Sequence, residues 1–208
     1  MQGIKTMPYS EKYAIVLDKV KSHDLLLSPF IKKHLNEQAL AELKKLWQEG
    51  FKPVPDNASY EEKYEIVYSN LMWQGKSNLE FIRMQLGEDG IEQYKLAQIE
   101  ELKRKNASPA LIILGVLRAI SPGSAFAMTA KKMAYQMQWL LPSMSLIELT
   151  PNQAVYNIPQ CKVISFPRME EACTIDCQGA YPIWLAEQLK VKLRFERQGH
   201  NCKAILTR

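Results

Sequence analysis

The sequence predicts an α+β fold: a helical N-terminal half packed on a small, mainly antiparallel C-terminal sheet. Three observations carry this expectation. Apolar residues recur at helical spacing through the first two-thirds of the chain. The pattern changes character at Pro142. The segment Lys190-Val-Lys-Leu-Arg-Phe-Glu196 then alternates strictly, as a half-buried strand does, with Val191, Leu193 and Phe195 inward.

The elements follow in order. Ser10 caps a first helix over residues 10–22, striped by Tyr13, Val16, Leu17 and Val20. Ser28-Pro29 marks a second start, because proline at the first helical position loses no needed hydrogen bond. Asn36 caps the next helix, and Gly50 ends it. Pro53-Val-Pro-Asp-Asn57 is a linker. Ser59-Tyr-Glu-Glu62 is a capping box opening a helix that turns Tyr64, Val67, Tyr68, Leu71 and Met72 inward. Residues 79–86 and 91–105 are helical, with Gly87 and Gly90 as breaks between them. Pro109 opens an apolar helix over 109–120, and Ser124 opens another over 124–141. Strands are expected at 144–150, 154–156 and 161–166. A helix over 178–189, a strand over 190–196, a turn at Gln198-Gly-His-Asn201 and a returning strand over 202–207 complete the chain. Two domains are expected: an N-terminal helical extension over 1–57 and an α/β ligand-binding domain over 58–208.

Composition narrows the function classes. At 208 residues the chain is long enough to bury a core without disulfides or metals as staples. A net charge of +5, with lysines spread along the chain, is too weak a signal for a dedicated nucleic-acid binder. The longest apolar run, Ala110 to Leu117, spans only about 12 Å as a helix, too short for a bilayer. Its first residues lack the apolar core of a signal peptide, so a cytoplasmic protein with reduced thiols is expected. Neither GxGxxG nor GxxxxGK[ST] occurs, so nucleotide chemistry by those routes has no support.

Chemistry concentrates in the C-terminal quarter. All four cysteines lie there, three of them in Cys173-Thr-Ile-Asp-Cys177 and His200-Asn-Cys202, on either side of one helix–strand unit. Together with the phrase Phe81-Ile-Arg-Met-Gln-Leu-Gly87, a strand pair and a strand-turn-strand ending, this organisation resembles the 4-vinyl reductase small-molecule-binding domain family. Its relatives include the 2-amino-thiazoline-4-carboxylate hydrolase-like proteins. The likeness covers residues 79–208. Gly199-His200-Asn201 stands where the family often has a glycine-aspartate pair, and the stretch before Ser59 has no counterpart. The resemblance implies a helix layer on an antiparallel sheet, a buried pocket for an apolar or ring-shaped ligand, and often a homodimer.

The cysteines admit three readings. Buried, inert thiols are the first, since free cysteine is among the most buried residue types. The second is a metal site: Cys173, Cys177, His200 and Cys202 would supply three thiolates and an imidazole, a set suited to tetrahedral zinc. The third is nucleophilic catalysis. If Asp176 caps the helix, Cys177 lies in its first turn, where amide dipoles favour the thiolate. His200 is then the base and Asp176 its orienting group, although the Asp176 charge opposes ionisation of Cys177. A hydrolase of a small cyclic amide or amidine would act this way. A ligand pocket is expected between helix 124–141 and the sheet, walled by Phe126, Met133, Met137 and Trp184, with Arg118 to meet a carboxylate such as a tetrapyrrole propionate. The N-terminal helices would instead serve partners if the chain were a scaffold or assembly factor.

Overall fold

The computed structural model describes residues 5–105 and 119–208, and the expected helix over 109–120 lies almost wholly outside them. The chain has the predicted α+β architecture. Two compact units divide it: Pro8–Gln98, and Ile99–Arg208 together with the N-terminal residues up to Met7. The division falls at residue 98, whereas the sequence placed a boundary after residue 57. The reason is that the helices of the expected extension share their core with the helix that follows. Among the described residues no helix is long and apolar enough to cross a membrane.

The first unit is helical. Helix α1 (Tyr9–His34) runs straight through Pro29, where the sequence suggested a new start. Pro29 cannot donate to the carbonyl four residues back, but that residue, Leu25, is open to solvent. Leu27, Phe30 and Ile31 around it are buried, and their packing outweighs the lost bond. Helix α2 (Glu37–Gly50) begins as the sequence dictates, with Asn36 Oδ1 accepting from the Ala39 amide at 2.8 Å. Helix α3 (Tyr60–Lys105) opens with the expected capping box. The Ser59 amide donates to Glu62 Oε2 at 2.8 Å, and the Glu62 amide donates to Ser59 Oγ at 3.2 Å.

Glycine at position 87 does break the helical geometry, at φ 69° and ψ −162°, a region essentially closed to side-chain-bearing residues. Gly90 causes no break. The core of this unit pairs large side chains with polar clasps. Tyr64 and Tyr68 are fully buried. Trp47 Nε1 donates to Asn78 Oδ1 at 2.8 Å, and Trp73 Nε1 to the Leu46 carbonyl at 3.0 Å. Asn70 holds the backbone of Lys52 at both its amide and its carbonyl, each at 2.9 Å.

The second unit carries the sheet. Helix α4 (Pro122–Gln136) starts at a proline, two residues before the expected Ser124, because proline fits the first helical turn. Strands β1 (Ser145–Leu149), β2 (Gln153–Ile158), β3 (Lys192–Gln198) and β4 (Asn201–Thr207) form one antiparallel sheet in the order β1-β2-β4-β3. The strand expected over 161–166 is absent. The Ser165 amide instead reaches the Cys161 carbonyl at 3.2 Å and Phe166 reaches Val163 at 3.2 Å, winding the segment into turns. The β3–β4 hairpin closes through two residues, with positive φ only at Gly199, as a type II′ turn requires.

Register defines the sheet faces. Tyr156 pairs with Ala204 and Ala204 with Phe195; Ile158 pairs with Cys202 and Cys202 with Arg197. Side chains directly opposite share a face, so Tyr156, Ile158, Cys202, Phe195 and Arg197 project together. Helix α4 packs on β1 and β2, and the Tyr156 hydroxyl donates to the Ala130 carbonyl of α4 at 3.0 Å. The helical run after the loop packs on β3. The Met7 amide donates to buried Gln138 Oε1 at 2.7 Å, and Gln138 Nε2 to the Lys5 carbonyl at 3.3 Å.

Candidate functional site

The helical run over residues 170–189 begins earlier than the sequence suggested and is not uniform. Helix α5 (Glu170–Ala172) leads directly into a π-helix (Cys173–Ala180), followed by α6 (Tyr181–Leu189). The Tyr181 amide bonds to the Asp176 carbonyl, five residues back. Pro182, next in line, has no amide to donate, and the widened turn ends beside it. Asp176 and Cys177 therefore lie inside a continuous helix. Asp176 is no N-cap, and the dipole argument for Cys177 as the activated thiol falls with it.

The run presents Cys173, Cys177, Tyr181 and Trp184 at intervals of three and four residues, the spacing of one helical face. Cys173 is 7% exposed. Cys177 is set deep among protein atoms yet keeps partial solvent contact. Tyr181 stacks on Trp184, with ring centroids 5.6 Å apart and planes 24° from parallel. Trp184 is 8% exposed, and its Nε1 is buried with no hydrogen-bond partner.

All four cysteines are free thiols. The Cys177 thiol donates a hydrogen bond to the Cys173 sulfur. That bond is the largest influence on Cys173; burial opposes it, the Arg197 guanidinium adds to it, and the Asp176 carboxylate opposes it. The result is a Cys173 thiol lowered to about 7. Donating that bond pushes Cys177 well above the ordinary thiol value, and burial, Asp176, Cys173 and Cys161 push the same way. Burial, with Cys173 and Cys161 nearby, pushes Cys202 up to about 11 against the pull of Arg197. Burial and Cys177 push Tyr181 up to about 12, and Tyr181 in turn adds to the rise that burial imposes on Tyr156. These mutual effects place the four thiols, Arg197, Tyr181 and Tyr156 in one electrostatic neighbourhood.

The roles expected from sequence are redistributed. Of the pair, Cys173 is the thiol made more acidic and Cys177 the one made less so. His200 sits exposed on the hairpin turn, with Nδ1 3.3 Å from Ser165 Oγ and its carbonyl accepting from the Cys161 amide at 2.7 Å. It is engaged with Ser165, and it is not among the groups that shift either thiol. Among the described residues no three His, Cys, Asp or Glu side chains are placed to hold a metal ion. The zinc set of Cys173, Cys177, His200 and Cys202 is therefore not formed. Phe126 and Met133 are buried on α4, Met137 is half-buried at the start of a 3-10 turn, and Arg118 lies outside the described residues.

Sequence reasoning missed Cys161, Arg197 and Tyr181. Arg197 was within reach, since it continues the inward alternation of Val191, Leu193 and Phe195. Tyr181 was too, as the residue one turn beyond Cys177. Cys161 carried no local signal, because a loop returns it to the hairpin. No family model matches this chain, and no curated protein or solved structure matches it.

Proposed function

We propose that the C-terminal unit is a small-molecule-binding domain whose reactive centre is the Cys173–Cys177 thiol pair. The observation that carries this reading is the convergence, on one helix face, of an acidified thiol, its hydrogen-bond donor and an aromatic stack with an unpartnered indole N–H. A buried donor left unpaired costs about 1–3 kcal/mol, which an acceptor on a bound molecule would recover. The stacked Tyr181 and Trp184 suit a flat apolar partner. An apolar ring ligand is also the class that the resemblance to the 4-vinyl reductase domain implies.

The test is protection. Purified protein is titrated with tetrapyrroles, fatty acids and polycyclic dyes while iodoacetamide labelling of Cys173 is followed by peptide mass spectrometry. Saturable protection, weakened in Trp184→Phe, supports the reading. Labelling at an unchanged rate with every compound refutes it.

A second reading is favoured by the lowered Cys173 alone. As a nucleophile it would attack the ring carbon of a small cyclic amide or amidine and break the ring C–N bond, the freed nitrogen taking a proton from water; a second water would then hydrolyse the acyl–sulfur bond and return the thiol, with Arg197 as the positive group beside the thiolate. Loss of turnover in Cys173→Ser with retained turnover in His200→Ala is the expected pattern. Turnover surviving Cys173→Ser ends this reading.

A further inference from the structure

The π-helix has a consequence for the thiol pair beyond ligand binding. In an α-helix, side chains four apart are offset by about 40° around the axis, and their Cα atoms lie about 6.2 Å apart. A turn closed by i→i+5 bonds holds more residues, so positions four apart stand more nearly one above the other. Cys173 and Cys177 are such a pair, and the π stretch begins at Cys173 itself. A disulfide needs Cα atoms about 4.4–6.8 Å apart and β-carbons directed at each other. A separation of four residues along a helical turn falls within that distance, and Cys173 and Cys177 are both free thiols of this stretch, each acting on the other's acidity.

We infer that Cys173 and Cys177 form a redox-active dithiol that exchanges with low-molecular-weight disulfides, closing a reversible bond within the π-helix. The inference rests on the thiol-pair reading above and names a second class of substrate for it. The Cys173 thiolate attacks one sulfur of the small disulfide. A mixed disulfide forms at Cys173, and one half of the small molecule leaves as thiolate. Cys177 then gives its proton to that thiolate and attacks the Cys173 sulfur, expelling the other half. The protein dithiol is oxidised to a disulfide, and one small disulfide is reduced to two thiols. The lowered Cys173 suits the attacking role, and Cys177, which keeps its proton beside it, suits the resolving one. Cys161 and Cys202 are buried and flank the pair.

Trypsin makes the outcome legible. Cleavage after Arg168 and Lys190 leaves Cys173 and Cys177 on one peptide, with Cys202 on another ending at Lys203. The reduced full-length chain is treated with bis(2-hydroxyethyl) disulfide, quenched by acid, and digested. The expected product is the 169–190 peptide two hydrogens lighter, restored by dithiothreitol. In Cys177→Ser the reaction should stop at the mixed disulfide on Cys173. A crosslink between the 169–190 peptide and the Cys202 peptide overturns the assignment of Cys177. A wild-type chain that accumulates only the mixed disulfide at Cys173 overturns the inference but leaves the reactive-thiol reading standing. A Cys173 inert to both the disulfide and iodoacetamide overturns both.

Discussion

The acidity of Cys173 has a worked kinetic signature. At pH 7 a thiol at about 7 is half ionised, whereas an ordinary thiol at 9.0 is about one per cent ionised, a gain of about 50-fold in thiolate. Nucleophilicity falls with basicity at a slope of about 0.4–0.5, which over that span removes a factor of about 6–10. The net acceleration at neutral pH is then only about 5–8-fold, so a single rate decides little. The pH dependence decides more. Iodoacetamide alkylation of Cys173, located by fragmenting the 169–190 peptide, should rise with a midpoint near 7 and then level off. Because the Cys177 hydrogen bond is the largest influence, Cys177→Ala should move the midpoint back toward 9.0. Cys177→Ser keeps a donor and should leave it low. Arg197→Gln, removing a lesser influence, should raise it by less than Cys177→Ala does. A wild-type midpoint near 9.0, or one indifferent to Cys177→Ala, would refute the reasoning.

Further expectations concern stability. Tyr156→Phe removes the bond to the Ala130 carbonyl and should cost about 1–2 kcal/mol in urea unfolding, while Tyr156→Ala should cost about 3–5 kcal/mol; no loss in Tyr156→Phe would show that the hydroxyl is idle. Between pH 9 and about 11 native Cys202 keeps a proton that the unfolded chain has lost, and Tyr181 does the same from 10 to about 12. The contribution of these two groups should therefore be full below pH 9 and be lost as pH rises, by up to about 3 kcal/mol for Cys202. A denaturation midpoint flat to pH 11 contradicts the burial of that thiol. Gly50→Ala drives a Cβ into the Trp73 indole, which its bond to the Leu46 carbonyl holds in place. A loss of about 1–3 kcal/mol should appear on thermal melting, and an unchanged melt would mean the ring moves freely.

What the sequence disclosed was local chemistry. The Asn36 cap, the Ser59–Glu62 box and the Lys190–Glu196 alternation each depend on neighbours a few residues away; the first two form as expected, and the strand forms two residues later, over Lys192–Gln198. What it concealed depended on distant packing. Passage of α1 through Pro29 follows from the burial of Leu27, Phe30 and Ile31, which no cap signal reports. The π stretch at Cys173 leaves no periodic trace, since an eight-residue change of pitch is shorter than the window in which a period is read. The site was therefore legible as a cluster of residues and not as an arrangement. Cys173, Cys177 and Cys202 were identified, but which thiol is acidic depends on a donor direction and on Arg197 of the neighbouring strand.

The hydrogen bonds from Met7 and to Lys5 at Gln138 have a topological meaning. The helical unit is written inside the other unit's sequence like a parenthesis, opened after Met7 and closed before Ile99. Cutting the chain at residue 98 would thus release the thiol-bearing unit with a buried glutamine stripped of two partners. Deleting 8–98 and joining the flanks would keep those partners on the same chain. The smallest portable form of the cysteine site therefore includes the first residues of the protein as well as its last hundred.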